Sequence, residues 1–406
     1  MKSTSCKEIA EDLLAQCLAG APPRDLPRAL GEEPCGTALF RILVEGLADR
    51  FEPALCDVYA RLFAQAVAYV IEGANPGALV ARYERVRRIR PVAGNPRRVF
   101  VLSRITLGAD VAVTSVLLAA VKERFPNAAI VLVGPEKNFE LFAGDPRITH
   151  GPVEYRRGGL RERLAVWEDL KSLLSDRASV VIDPDSRLTQ LGLLPVCEEE
   201  RYHLFESRAY GGDTDCTLPE LASAWAFETF GVSGARPYLA LPASSQKAPD
   251  IAVSLGVGDN SAKRIPDPFE PELLSLLSAT GGTLLVDRGA GGEEARRVEY
   301  AIERSGVEAT FWDGSFAGFA ALIAGSRLYV GYDSAGQHVA AACGVPLISI
   351  FAGFPVPRMF ERWRPAGPGC TAIRVDRPYV TDVLARVKEA LAVVPGFPAS
   401  MAKVLD

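Results

Sequence analysis

Apolar residues recur at helical spacing from the start of the chain: Ile9, Leu13, Leu14, Cys17 and Leu18 fall on one helix face, as do apolar positions within 37–49 and 54–72. Pro22, Pro23, Pro27, Pro53 and Pro76 punctuate these runs, so residues 1–92 read as an all-helical N-terminal domain. The pattern then changes to short, continuous apolar runs. Strands are expected at 99–102, 129–133, 179–182 and 203–206, then at 251–255, 283–286, 309–312, 328–331 and 346–351. Helix-length stretches separate them, and that alternation predicts parallel sheets, hence an α/β class. The expected division is a first Rossmann-like domain over 93–245, a second over 246–385 and a tail over 386–406. A linker rich in small residues and Pro lies at 240–249.

The richest chemistry lies between Tyr329 and Gly369. Leu328, Tyr329 and Val330 read as a buried strand, Asp333 or Ser334 as an N-cap, and Val339 to Ala342 as part of a small-residue helix. The free N–H groups of Ala335, Gly336 and Gln337 would then form an anion site. Such a strand-to-helix junction is where open α/β sheets bind ligands. Val345 to Phe351 reads as the next strand, and the loop after it, with Gly353, Pro355 and Pro357, opens beside the same crevice.

Asp333, Ser334, His338, Ala340, Ala341, Gly344, Val345 and Pro346 together resemble the C-terminal signature of glycosyltransferase family 9, the bacterial heptosyltransferases. Two earlier segments extend the resemblance. After the strand Val99 to Leu102, Asp110, Thr114 and Phe125-Pro126 resemble the family's first loop and helix, with Ala109 inserted between Gly108 and the Asp, and Val116 where Pro is common. In the third segment Lys263 falls on the family's Lys, while Ile265 replaces a usual Trp. The resemblance covers roughly residues 97 to 390. It implies a GT-B fold, two Rossmann-like domains facing a cleft, with the helical domain as an addition and a last helix, near Val380 to Val393, returning to the first domain.

The resemblance also implies roles. Transfer from a nucleotide-diphosphate sugar needs a base for the acceptor hydroxyl and compensation for the departing diphosphate. Asp110 is the expected base; the alternative is that it only caps the helix over 111–124. Lys263 is expected on the diphosphate with Arg264 as an adjacent substitute, and Ser334, Ala335 and Gly336 would add backbone donors. Asp333 suits capping or a sugar hydroxyl. His338 is either a ligand contact or a satisfied core residue. Glu293 or Glu294, the latter preferred, would hold ribose hydroxyls, or else be an ordinary first-turn Glu. No metal and no cofactor is implied. A rival reading takes Asp183 and Asp185, after an apolar strand, as carboxylates of a metal-dependent transferase; Asp213 and Asp215 read as a turn.

Composition narrows the classes. A chain of 406 residues exceeds one core, and a net charge of -5 argues against general nucleic-acid binding. The eight cysteines include no CxxC pair, which favours reduced thiols in a cytosolic protein over a disulfide framework or zinc site. The opening MKSTSCKEIAEDL lacks the apolar core of a signal peptide, and the apolar run near 58–71 carries Arg61 and is too short to span a bilayer. A cytoplasmic protein is expected, with at most peripheral contact at the inner membrane. Arg82, Arg85, Arg87, Arg88, Arg90, Arg97 and Arg98 form the one strongly basic region. They suit an anionic acceptor such as a lipid-linked phosphosugar, or a solvated helix pairing with Glu84 and its neighbours. Arg156 and Arg157, with Thr114, are the acceptor-side candidates. The expected function is an inverting, metal-independent glycosyltransferase acting on a glycan, lipid-linked or protein hydroxyl. A noncatalytic nucleotide-sugar-binding or scaffold protein, and a nucleotide-sugar epimerase on the same fold, remain as alternatives.

Overall fold

The computed structural model describes residues 5–243, 246–258, 260–289 and 291–395. It holds two compact units, one running to Phe139 and adding Pro146–Arg236, the other formed by Glu140–Asp145 and the chain from Pro237 onward.

The first unit is built on a five-stranded sheet of β1 (Arg98–Leu102), β2 (Ala129–Gly134), β3 (Ile148–Pro152), β4 (Ser179–Asp183) and β5 (Tyr202–Leu204), in the order β3-β2-β1-β4-β5. Every pairing is parallel. Helices cover both faces of such a sheet, so its strands are continuous apolar runs rather than alternating ones. Val99 to Leu102 are all buried accordingly. The helices before residue 92, including Cys6–Leu18, Pro53–Val70 and Pro76–Val86, share one apolar core with this sheet: Phe40, Tyr59, Phe63 and Tyr83 belong to the same cluster as Phe100, Leu102, Val181 and Tyr202. The helical segment is therefore part of the first unit.

The basic run explains how it is fastened. Arg82 donates to the Gly192 carbonyl at 2.9 Å and lies over the Tyr202 ring, and Arg85 forks onto Glu199. Arg87 donates to Glu206 at 2.8 Å, and Arg90 to the carbonyls of Glu199 and Tyr202 at 2.6 and 3.0 Å. These guanidinium groups tie the helices to the β5 edge, so the anionic-acceptor reading of this region loses four of its arginines to packing. The thiol expectation is corrected as well. Cys6 and Cys35 form a disulfide, because the first helix and the turn at Glu33–Cys35 pack side by side and bring their Cα atoms to 5.2 Å.

The second unit carries β6 (Ile251–Ser254), β7 (Leu284–Asp287), β8 (Thr310–Trp312), β9 (Leu328–Tyr332), β10 (Leu347–Phe351) and β11 (Cys370–Arg374), all parallel, in the order β11-β10-β9-β6-β7-β8. This is the doubly wound Rossmann order, with its switch point between β6 and β9. The helix Val380–Ala392 buries Val383, Val387 and Leu391 in the core of this same unit, which corrects the expectation that it returns to the first domain. No described helix is long and apolar enough to cross a membrane.

Candidate functional site

At the switch point of the second sheet, the loops leaving β6 and β9 converge. Ser334, not Asp333, is the N-cap of the helix Ala335–Ala342, and its hydroxyl meets the Tyr329 phenol at 3.2 Å instead of capping the helix. Gly336 has to be glycine: a Cβ there would stand 2.4 Å from the Tyr329 oxygen. That contact draws the helix onto its strand and fixes the direction of its N-terminus. From the β6 side, Lys263 reaches across, its Nζ 2.6 Å from Asp333 Oδ2 and 3.1 Å from the Asp333 carbonyl. Gly353, at φ +67°, lets the loop after β10 press on the Ala262–Lys263 backbone, where a Cβ would lie 2.4 Å from the Ala262 carbonyl carbon. The three loops thus hold one another.

A side chain missed by sequence reading ties this together. Gln337 is fully buried; its amide nitrogen donates to Asp333 and its amide oxygen accepts from the Ser349 hydroxyl. The same nitrogen lies 3.3 Å from His338 Nε2 and 3.4 Å from the Trp363 carbonyl. His338 is 7% exposed and packs against the Trp363 ring at 5.8 Å. Burial pushes its imidazole down to about 4, against a smaller upward pull from Asp333, so the ring is neutral. That environment favours the packing alternative left open for it. Glu294 accepts from the backbone N–H groups of Val257 and Gly258 at 3.0 and 2.9 Å, holding the loop after β6, whereas Glu293 is exposed. Arg264, expected beside Lys263 on the diphosphate, has a partner inside the fold. Its guanidinium is paired with the buried Glu270 and donates to the Leu255 carbonyl at 3.5 Å.

A second polar cluster occupies the equivalent switch point of the first sheet, at the ends of β1 and β4. The helix after β1 begins at Leu107 with Thr106 as its N-cap, runs as a π-helix over Asp110–Thr114, and continues as Ser115–Arg124. A π-helical turn absorbs an extra residue without breaking the helix, and Ala109 directly precedes this one. Asp110 therefore sits inside the helix and does not cap it. Its Oδ1 accepts from Arg104 N at 2.7 Å and Thr114 Oγ1 at 2.6 Å; its Oδ2 accepts from Ser103 Oγ and Asn138 Nδ2, each at 2.6 Å. Burial raises its pKa above the usual carboxylate range, against these four bonds. Ile105, between Arg104 and the helix, has φ 73°, a strained value for a β-branched residue.

The other candidates are not drawn into this cluster as ligand contacts. Thr114 is buried and spends its hydroxyl on Asp110. Arg156 and Arg157 are exposed, with Arg156 3.3 Å from Glu154. Asp183 accepts from Thr189, Tyr202 and the Ser186 N–H, and Asp185 from Ser207 and Arg208. Both carboxylates are engaged inside the fold, which does not suit the metal-dependent alternative. Among the described residues, no group of three or more His, Cys, Asp or Glu side chains could hold a metal ion.

Comparison with known proteins bears on the fold. Residues 293–386 match the model of glycosyltransferase family 9 (heptosyltransferase). The E. coli heptosyltransferase WaaC, solved with ADP-2-deoxy-2-fluoro heptose, superposes with a TM-score of 0.52 at 18% identity, over 72% of this chain and 99% of its own. E. coli ADP-heptose lps heptosyltransferase II gives 0.52 at 20% identity, over 73% and 98%. A family 9 glycosyltransferase from Veillonella parvula gives 0.52 at 15% identity, over 73% and 90%. A search of curated proteins yields no match. The fold is the GT-B fold, and the second unit carries a glycosyltransferase family 9 segment.

Proposed function

We propose that this chain, with its family 9 segment, is an inverting glycosyltransferase that takes a heptose or similar sugar from a nucleotide-diphosphate donor without a metal ion. The observation carrying this reading is Lys263 held beside the N-terminus of the Ala335–Ala342 helix at the β6/β9 switch point. An ammonium has three N–H donors. Asp333 takes two and so orients the group, leaving the third for a phosphate oxygen. The helix end adds backbone N–H donors and roughly half a positive charge. Together they stabilise the diphosphate as the anomeric C–O bond breaks and the nucleotide departs with the electron pair.

In this reading the acceptor oxygen attacks the anomeric carbon and Asp110 receives its proton. A raised carboxylate pKa suits a base. One of its four present donors has to yield its place to the acceptor hydroxyl, as catalytic hydrogen bonds in ligand-free sites commonly do. The relatives solved with ADP or an ADP-heptose analogue support an ADP-linked donor. A second reading, a nucleotide-sugar-binding protein without transfer, is favoured by the saturation of Asp110.

Thermal-shift titration with ADP, GDP, UDP and TDP, with and without EDTA, tests the donor half, since a ligand of the folded state raises its melting temperature. Selective, EDTA-insensitive stabilisation by ADP is expected. No response to any nucleotide overturns the proposal.

A further inference from the structure

Asp110 Oδ1 takes its bonds from Arg104 N and Thr114 Oγ1, which belong to its own loop and helix. Oδ2 takes Ser103 Oγ, from the same loop, and the amide of Asn138, which comes from the short helix Glu136–Phe139 at the end of β2. Contacts with the edge strand β3 place that helix. Glu136 Oε2 lies 2.9 Å from His150 Nδ1, and the Phe139 ring stacks on the same imidazole at 4.7 Å, while His150 Nε2 lies 2.8 Å from the Gly134 carbonyl. Asn138 is thus fixed from both sides. It is fully buried; its Nδ2 lies 2.6 Å from Asp110 Oδ2, and its Oδ1 has no partner among the described residues. A buried, unbonded amide oxygen lowers stability, and a leucine of similar volume would avoid that cost. What asparagine adds over leucine at this position is the bond to Asp110, the kind of reason that an unsatisfied group in a native core calls for.

Burial opposes a charge on Asp110, and the bonds it accepts favour one. An ionised carboxylate only accepts, so it is the Nδ2 side of the amide that faces it. The charged neighbours are otherwise engaged. The Arg104 guanidinium donates to the Pro184 carbonyl and Ser207 and lies in the field of Asp185, Arg187 and Arg208 as well as Asp110. Glu136 pairs with His150, and Lys137 is exposed. We infer that Asn138 is a positioning residue for Asp110, its Nδ2 holding Oδ2 ionised and so ready to receive the proton of an acceptor hydroxyl. The proton passes to Oδ2 as the hydroxyl oxygen's electron pair forms the bond to the anomeric carbon and the nucleotide leaves with the C–O pair. Ser103 Oγ shares Oδ2 and its hydroxyl can rotate, so it is the donor that gives way. As help to a base, this role rests on the transferase reading; the coupling of the two side chains does not.

The test is a pH titration of the full chain labelled with carbon-13 at the aspartate carboxyls, in which the Asp110 resonance is the one absent from Asp110→Asn. The parent, Asn138→Leu and Asn138→Asp are compared, and release of ADP from ADP-heptose into water is followed over the same pH range. Loss of one hydrogen bond to a charged group should move the Asp110 midpoint in Asn138→Leu up by about one to two pH units. The acid limb of ADP release should move with it, with the rate on the alkaline plateau retained. Asn138→Asp keeps the shape and sets a second carboxyl against the first, so the pair should titrate in two steps, the upper one above the parent's midpoint. A merely structural asparagine would change the rate equally at every pH and leave the midpoint in place. A parental midpoint in both variants, or a raised midpoint with an unmoved acid limb, overturns the role given to Asn138. A raised midpoint where the parent itself releases no ADP supports the coupling of the two side chains while removing the transferase reading.

Discussion

Lys263 Nζ lies 2.6 Å from Asp333 Oδ2 and 3.1 Å from the carbonyl oxygen of the same residue. The pair joins the loop after β6 to the loop after β9, and neither partner is more than 18% exposed. Asp333 is held in turn by Gln337, and Gln337 by Ser349 on β10. The ammonium is thus placed by residues from three adjacent strand ends, so the charge is in position before a ligand arrives. Preorganisation of this kind lowers the cost of ordering a side chain on binding.

Lys263→Gln keeps a donor for Asp333 but removes the charge. A hydrogen bond to a charged group contributes about 1.5–3 kcal/mol, so ADP affinity is expected to fall roughly 10- to 100-fold. Isothermal titration of the variant and the parent checks this. Unchanged affinity would remove Lys263 from the donor site.

Arg264→Ala behaves in the opposite way. Its partner Glu270 is 2% exposed and keeps Arg297 at 3.7 Å, so the loss is that of one hydrogen bond between charged groups, about 1.5–3 kcal/mol. Urea denaturation is expected to show that loss, with ADP affinity of the folded variant retained. A variant of parental stability with weakened ADP binding would restore Arg264 as a phosphate contact.

The strand skeleton was legible because parallel strands buried on both faces write themselves as continuous apolar runs. The two strands missed are those that do not. β3 is Ile-Thr-His-Gly-Pro and β11 is Cys-Thr-Ala-Ile-Arg, edge strands carrying too few apolar residues to form such a run. At the second switch point Lys263 and Ser334 were legible by their place after strands. Gln337 was not, because a neutral amide on a helix reads as surface until the fold buries it. The surroundings of Asp110 were half visible: Thr114 is four residues away, but Asn138 arrives from 28 residues downstream through tertiary packing. The Cys6–Cys35 bond closes 29 residues with no motif to announce it. The arginine run was visible as charge, while its partners at Glu199, Glu206 and Gly192 lie more than a hundred residues away in sequence.

Asp110→Asn separates the base from the anchor. The substitution keeps shape but turns one acceptor into a donor facing hydroxyl, amide or backbone donors, and each buried group left unsatisfied costs about 1–3 kcal/mol. A loss of that order in unfolding free energy is expected, together with transferase turnover reduced at least a hundredfold and ADP affinity nearly unchanged. Single-turnover kinetics on the folded fraction, beside calorimetric melting, measures both effects. Normal turnover from that fraction would leave Asp110 as an anchor of the 103–106 loop and nothing more.

His338 makes stability depend on pH in a direction that follows from its burial. Its folded-state pKa of about 4 lies below the usual imidazole value. Between about pH 6.5 and 4 the unfolded chain therefore binds a proton that the folded protein does not, so the stability associated with this residue is lost as pH falls through that window. Lowering the pH from 6.5 to 4.5 should remove about 2–3 kcal/mol through this group alone. His203 is depressed to about 4 as well and adds in the same direction, so the comparison has to be with a variant. In His338→Gln the fall in unfolding free energy over this range should be smaller than in the parent by about 2 kcal/mol, read from urea denaturation at each pH. Parallel losses in the two proteins would mean that His338 titrates as a solvated imidazole, and that the packing of Gln337, His338 and Trp363 around the donor site is open rather than closed.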